Sequence, residues 1–193
     1  MNTNTKRIAG VGIFAAIVVV LQLMATLINF GAFSITLVLV PIVIGAALYG
    51  IGAGAMLGAV FGIVVLVMTI TGADPAAHML WVANPVMTLL VILLRGISAG
   101  AAAGAVYRLL SRFNKFAAVL SAAVVAPIVN TGLFMVAMWL IFPDFLALWA
   151  DGARPLTFLI IGLAGINFII EMVINLVLSP TIVGIINAVK KVS

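Results

Sequence analysis

Four polar side chains interrupt the apolar segments of this 193-residue chain: Arg95, Asn130, Asn167 and Glu171. If each segment crosses a bilayer as a helix, a rise of about 1.5 Å per residue places Arg95 and Asn167 about 15 Å below the external surface. The same rise gives about 18 Å for Asn130 and about 21 Å for Glu171. The four groups would then share one layer, at a depth where an ionisable group costs about 2.5–3.5 kcal/mol.

The chemistry of this layer favours a small, anionic and polar ligand. A guanidinium presents a planar fork that matches a carboxylate, and asparagine amides both donate and accept hydrogen bonds. Asn167, Glu171 and Asn175 are spaced four residues apart, so they form one polar stripe that must face protein or water. We expect a binding cavity that opens to the outside. In the alternative, Arg95 and Glu171 pair with each other and the asparagines satisfy backbone groups freed at helix-interior prolines.

Two external segments could cover such a cavity. They are GADPAAHMLWVANP and PDFLALWADGARP, which mix Trp, Pro and charge as interfacial or capping segments do. We expect Trp81 and Asn84, at the end of the first segment, to close over the ligand, the indole as a lid and the amide as an anchor. The alternative for Trp81 is a place in the aromatic belt at the membrane surface.

The residue inventory speaks against enzyme chemistry. There are no cysteines and one histidine, so neither a thiolate site nor a cluster of metal-binding histidines can form. A glycine loop that would cradle nucleotide phosphates is also missing from the sequence. We therefore expect no catalytic residue, no metal site and no cofactor in this chain, and any use of ATP must occur in a partner subunit.

The composition makes lipid the solvent of this chain. Of its residues, 66% are hydrophobic and 7% are charged, and the mean hydropathy is +1.45. Runs such as VGIFAAIVVVLQLMA lack the alternation of a β-barrel strand, so helices are favoured. The net charge of +5 comes from basic residues at helix ends without interleaved aromatics, which indicates orientation in a membrane rather than binding of nucleic acid.

Breaks at Gly, Pro, Asn and charged residues predict an all-α membrane protein with six transmembrane helices in a single domain, 1–193. The second span is short and forms a tight hairpin with the third at Tyr49-Gly50-Ile51-Gly52. The predicted spans are roughly 8–29, 34–50, 52–71, 85–110, 116–142 and 157–188.

The distribution of charge predicts that both termini are cytoplasmic, because basic residues are retained on that side. Three of the four acids, Asp74, Asp144 and Asp151, fall in the external segments. Seven of the nine basic residues fall on the opposite side: Lys6, Arg7, Arg108, Arg112, Lys115, Lys190 and Lys191.

Small residues recur every four positions in three spans. Such rows allow close backbone approach, which drives helix association in lipid. They could serve packing inside the bundle or docking of a partner protein. The rows are Gly54, Gly58 and Gly62 in the third span, Gly96, Gly100 and Gly104 in the fourth, and the shorter pair Gly12 and Ala16, beside Ala15, in the first.

The whole chain resembles the S components, the substrate-binding membrane subunits of energy-coupling factor (ECF) vitamin transporters. The resemblance lies in the size, the six spans, the hairpin ITLVLVPIVIGAALYGIGAGAMLGAVFG and the helix RGISAGAAAGAVYRLL. It implies a bacterial plasma-membrane protein that binds a vitamin near the outside. It also implies docking on a coupling membrane subunit driven by two ATPases. The family docks through an AxxxA pair on its first helix, matched here by Gly12 and Ala16 with glycine in the first place.

Within this family, Arg95 and the asparagines make the chain most similar to pantothenate-specific members, whose ligand has a carboxylate, an amide and a diol. Riboflavin and folate are alternatives, although flat rings favour more stacking aromatics than this layer offers. Thiamine, a cation, would suit Glu171 but not Arg95. Two other classes stay open: a scaffold protein of cell-envelope assembly, and a stand-alone secondary carrier.

Overall fold

The computed structural model describes residues 3–25, 29–30, 33–34 and 37–192. Apart from a two-residue antiparallel ladder, β1 Asn29–Phe30 with β2 Phe33–Ser34, the described chain is almost entirely helical. The predicted all-α membrane bundle is thus confirmed. Its helices are α1 Thr3–Ala25, α2 Leu39–Tyr49, α3 Ile51–Thr71, α4 Pro75–Ala83, α5 Pro85–Leu110, α6 Lys115–Leu140, α7 Pro143–Ala150, α8 Pro155–Thr157 and α9 Ile166–Val192, with a π-helical segment Phe158–Gly165 between the last two.

Five helices in the described chain are long and apolar enough to cross a membrane. A sixth candidate is a bent pair, Pro143–Ala150 with Pro155–Gly162, whose two parts meet at 87°. The five single helices overlap the first, third, fourth, fifth and sixth predicted spans, whereas the bent pair lies mostly in a segment predicted to be an external loop. The five single helices are Thr5–Ala25, Ile51–Thr71, Pro85–Leu110, Lys115–Leu140 and Phe168–Val189.

The second predicted span is where the structure departs from the sequence prediction. Its helix begins at Leu39 rather than at residue 34, because Ser34 pairs with Asn29 in the β-ladder. The eleven residues of α2 extend about 16 Å, roughly half the thickness of the hydrocarbon core. The predicted tight hairpin is present, since only Gly50 separates α2 from α3. Its φ of 92° lies in the region that favours glycine.

The two segments that were predicted to be external contain helices, and proline marks where these begin. Asp74 accepts a hydrogen bond from the backbone N–H of Ala77 at 3.0 Å, and Asn84 accepts one from Met87 at 3.1 Å. Each of these capping residues precedes a proline at the first helical position, where the missing N–H costs nothing. Asp74 and Asn84 therefore fix the residues at which α4 and α5 begin.

The glycine rows of α3 and α5 face each other in antiparallel register. A Cβ built at Gly58 would overlap with the carbonyl oxygen of Gly96, and one built at Gly54 would overlap with that of Gly100. Further along, a Cβ at Gly62 would lie 3.2 Å from Leu93 Cδ2. Backbone thus meets backbone along this pair, so these rows serve internal packing and not a partner protein.

An apolar cluster closes the end of the bundle that carries α4 and α7. Leu80 of α4, Met138 of α6 and Leu146 of α7 form its centre, together with Phe142 and Leu159. Because these side chains come from helices at the same end of the bundle, they hold the two short helices against the long ones.

We predict that Gly58→Ala lowers the thermal unfolding midpoint in detergent, because the new methyl group must separate two backbones. Overpacking of this kind costs about 1–3 kcal/mol. Gly132→Ala is the matched control on α6, where a Cβ meets nothing within 4 Å, so its midpoint should stay at or above that of the wild type. Equal midpoints for the two variants would contradict the close α3–α5 contact.

Candidate functional site

A cavity of about 140 Å³ lies in the half of the bundle that carries α4 and α7. This volume is roughly ten times what one water molecule requires. Four aromatic side chains supply much of its apolar wall: Phe61, Phe134, Phe142 and Trp149. Its polar members come from six places in the chain and are Gln22, Asp74, Thr88, Arg95, Asn130, Thr131 and Glu171.

The charged groups of the cavity are one guanidinium and two carboxylates. The guanidinium carbon of Arg95 lies 5.2 Å from the ring centre of Phe134, a cation–π contact that partly replaces lost hydration. Glu171 and Asp74 are both near enough to interact electrostatically with Arg95. Arg95 Nε is nevertheless buried without a hydrogen-bond partner among the described residues.

Two amide oxygens are likewise buried without a hydrogen-bond partner among the described residues. Asn130 is 6% exposed and Gln22 is 5% exposed, and neither Asn130 Oδ1 nor Gln22 Oε1 has a partner within the described part of the chain. Only four buried side-chain atoms there lack partners, and three of them belong to this cavity. Buried polar atoms in proteins are nearly always hydrogen-bonded. The cavity is thus matched to a molecule that offers an acceptor to Arg95 and donors to the two amides.

The structure brings three of the predicted site residues together. Arg95, Asn130 and Glu171 come from α5, α6 and α9 and line the same cavity. The side chain of Asn167 falls outside the described residues. Asn175 continues the stripe on α9 and donates from Nδ2 to the backbone oxygen of Glu171 at 2.9 Å, but it does not line the cavity.

The predicted lid residues lie elsewhere. Asn84 is exposed and acts as the N-cap of α5, and neither Asn84 nor Trp81 is among the residues that line the cavity. An indole does reach the cavity, but it is that of Trp149 on α7, which packs edge-on against Phe145 with ring centres 6.4 Å apart. The prediction that Trp81 and Asn84 bind the ligand has no support in this geometry.

Helix α4 is fastened over the cavity by two hydrogen bonds. Thr88 Oγ1 donates to the backbone oxygen of Leu80 at 2.8 Å, and His78 Nδ1 lies 2.9 Å from the backbone oxygen of Thr69. These contacts tie α4 to α5 and to α3. We call α4 and α7 together the roof of the cavity. Since α3 and α5 are themselves in close backbone contact, the α4 part of this roof is bonded to a closely packed pair of helices.

Sequence reasoning missed most of the remaining wall: Gln22, Asp74, Thr88, Thr131, Phe134 and Trp149. For Gln22 a signal existed, because it is the only side chain between Ile8 and Ala25 with a strong hydrogen-bonding group. The aromatic residues gave no such signal, since Phe and Trp are equally at home against lipid.

The predicted docking residues lie on the outward side of α1. Gly12 and Ala16 are exposed, Ala15 is half-buried, and a Cβ at Gly12 would meet nothing within 4 Å. A second protein could therefore approach the backbone of α1 closely at this point.

The structure shows a multi-pass helical membrane protein with a polar cavity at one end, an arrangement suited to binding a small solute. A family model described as ECF transporter, substrate-specific component, matches residues 6–183. The chain therefore belongs to the substrate-specific components of ECF transporters. These are substrate-binding subunits that work with an energising module whose ATPases are separate chains. No curated protein gives a significant match to this chain.

We predict that Asn84→Ala destabilises the protein by about 1 kcal/mol, because the first turn of α5 loses its cap. Asn84→Asp keeps an oxygen in the same place and should retain most of the stability. Thermal unfolding of the two variants in detergent measures the difference. Equal losses for Ala and Asp would show that the side chain does not act as a cap.

Proposed function

We propose that this chain is the high-affinity pantothenate-binding subunit of an ATP-driven ECF importer. The observation that carries the proposal is Arg95, whose Nε is buried without a partner among the described residues and whose side chain lines a cavity with Asn130 and Glu171. A ligand carboxylate would supply the missing acceptor. The resulting charge-assisted hydrogen bonds are stronger than those between neutral groups, and stronger still away from water.

The rest of pantothenate suits the other walls of the cavity. Its hydroxyl groups and amide N–H can donate to Asn130 Oδ1 and to the carboxylate of Glu171. Its methyl groups can pack on aromatic rings such as Phe61 and Phe134, which line the same space. The hydroxyl and amide groups of this ligand thus offer donors to the amide and carboxylate oxygens, while its carboxylate complements the guanidinium.

Two other vitamins belong in the same binding test. Four aromatic side chains surround the cavity, more than the sequence alone indicated, and a flat ring could stack on them. Riboflavin and folate are therefore the alternative ligands. The scaffold hypothesis depended on the glycine rows as surfaces for partner proteins, but the rows of α3 and α5 pack against each other.

For the partner, we propose that the outward face of α1 around Gly12 and Ala16 docks on the coupling membrane subunit. Both positions are small and exposed, so two helices could meet there as closely as α3 and α5 do. In this proposal both termini are cytoplasmic, the cavity opens to the outside, and ATP is hydrolysed by the two ATPases of the module.

We predict that Arg95→Ala weakens pantothenate binding at least tenfold, equivalent to about 1.4 kcal/mol, because the ligand carboxylate loses its partner. Calorimetry on purified protein measures the affinity, with riboflavin and folate titrated in parallel. Arg154→Ala is the control, since it removes an exposed guanidinium that lies outside the cavity. Unchanged affinity in Arg95→Ala would remove the proposed role of this residue. Wild-type protein that binds another vitamin instead would overturn the pantothenate assignment.

We predict that Gly12→Leu reduces co-purification with the coupling subunit severalfold and leaves pantothenate affinity unchanged. The larger side chain would hold a partner helix away without disturbing the bundle, because the space beside Gly12 is open. Gly184→Leu is the matched control on α9, where a Cβ also meets nothing within 4 Å. Equal recovery of the complex with both variants would exclude α1 as the docking helix at this point.

A further inference from the structure

Helix α1 is attached to the bundle along a narrow row. Its buried residues are Val11, Val18, Gln22 and Ala25, spaced seven, four and three residues apart. Neighbours such as Met24 are about half exposed. In the last turn before Ala25, the row consists of one small residue and Gln22. The end of α1 near Ala25 is therefore held by apolar packing, including that of half-buried Leu21, and by the side chain of Gln22.

That side chain is poorly satisfied by the protein. Its Nε2 lies 3.8 Å from Met68 Sδ, and a thioether is a weak acceptor. Its Oε1 has no partner in the part of the chain that the structure describes, although only 5% of the residue is exposed. Such an atom lowers stability unless something outside the protein pairs with it. Since Gln22 lines the cavity with Arg95 and Asn130, the ligand is in place to provide that pair.

We propose that Gln22 is a ligand-binding residue that couples occupancy of the cavity to the position of α1. The inference rests on the proposed function, because the ligand proposed for that cavity supplies the hydrogen-bond donor to Gln22. A hydroxyl or amide N–H of the ligand donates to Gln22 Oε1 and draws the outer end of α1 against the cavity wall. Without the ligand, that end keeps its apolar packing through Leu21 and Ala25, and the hydrogen bond of Gln22 is the weak one with Met68.

A shift of α1 at Gln22 would also move the face of this helix that is proposed for docking. Gly12 and Ala16 lie on the same uninterrupted helix, about 15 Å and about 9 Å from Gln22 along its axis. A helix of this length moves largely as one body, so a shift at Gln22 is transmitted to the exposed small residues. The loaded and empty subunits would thus present different positions of the docking helix to the coupling subunit.

The first experiment replaces the amide by an apolar group of similar size, in Gln22→Met. Pantothenate affinity, measured by calorimetry, should fall at least tenfold, because the ligand donor loses its acceptor. The thermal midpoint of the ligand-free protein should not fall, because an unsatisfied buried oxygen has been removed. Asn187→Met is the matched control: it replaces an exposed amide far along α9 and should change neither quantity.

The second experiment measures the movement of α1 directly. Because the chain has no cysteine, a single nitroxide label can be attached through Met24→Cys on the exposed side of α1. Saturating pantothenate should immobilise this label in the otherwise wild-type protein and have little effect when Gln22→Met is also present. A label at Phe113→Cys, an 86% exposed position between α5 and α6, should not respond to the ligand.

Three results would overturn the inference. One is an unchanged pantothenate affinity in Gln22→Met while Arg95→Ala weakens binding. Another is a lower midpoint of ligand-free Gln22→Met, which would make the amide a structural group. The third is a label at position 24 that ignores the ligand in protein shown to bind it. Failure of the wild type to bind pantothenate would instead remove the pantothenate assignment, and the ligand-free midpoint of Gln22→Met would still test Gln22.

Discussion

The interior of a bilayer offers no hydrogen-bond partners, and this constraint decides where the informative residues of the chain can lie. Every polar side chain within a span must find its partner in the protein or in a bound molecule. Most do so locally, as Thr69 and Ser179 do by donating to backbone oxygens one turn earlier, at 2.9 Å and 2.8 Å. Of the four buried side-chain atoms without a partner in the described part of the chain, three belong to Gln22, Arg95 and Asn130, which line one cavity, and this concentration favours a binding site over scattered polar defects.

The same solvent makes close backbone contact the main source of cohesion between α3 and α5. Lipid tails are as apolar as leucine, so burial of side chains contributes little and the glycine rows become decisive. By bringing the two backbones together, Gly58 and Gly96 fix the positions of the helices that carry Phe61 and Arg95. The cavity is therefore built against a rigid pair, and its other walls come from helices that are less closely packed.

Local sequence predicted the helices and the charged part of the site, because an Arg or Glu inside an apolar run has few explanations other than burial against protein. It could not predict the late start of α2, which depends on pairing between residues 29–30 and 33–34. Nor could it separate the two roles of an Asn before a proline, helix cap or ligand contact, and Asn84 proved to be a cap. The choice between Trp81 and Trp149 depends on the rotation of a short helix about its axis, which contacts distant in sequence determine.

The two short helices that cover the cavity, α4 and α7, differ in the contacts that hold them in place. Lifting α4 would break the hydrogen bonds from Thr88 to Leu80 and between His78 and Thr69. Shifting α7 would separate apolar contacts of Leu146 and Phe142, and the chain after α7 turns through Asp151 and Gly152, both with positive φ. The two helices that cover the cavity are thus held by different kinds of contact, α4 by hydrogen bonds to α3 and α5 and α7 by apolar packing.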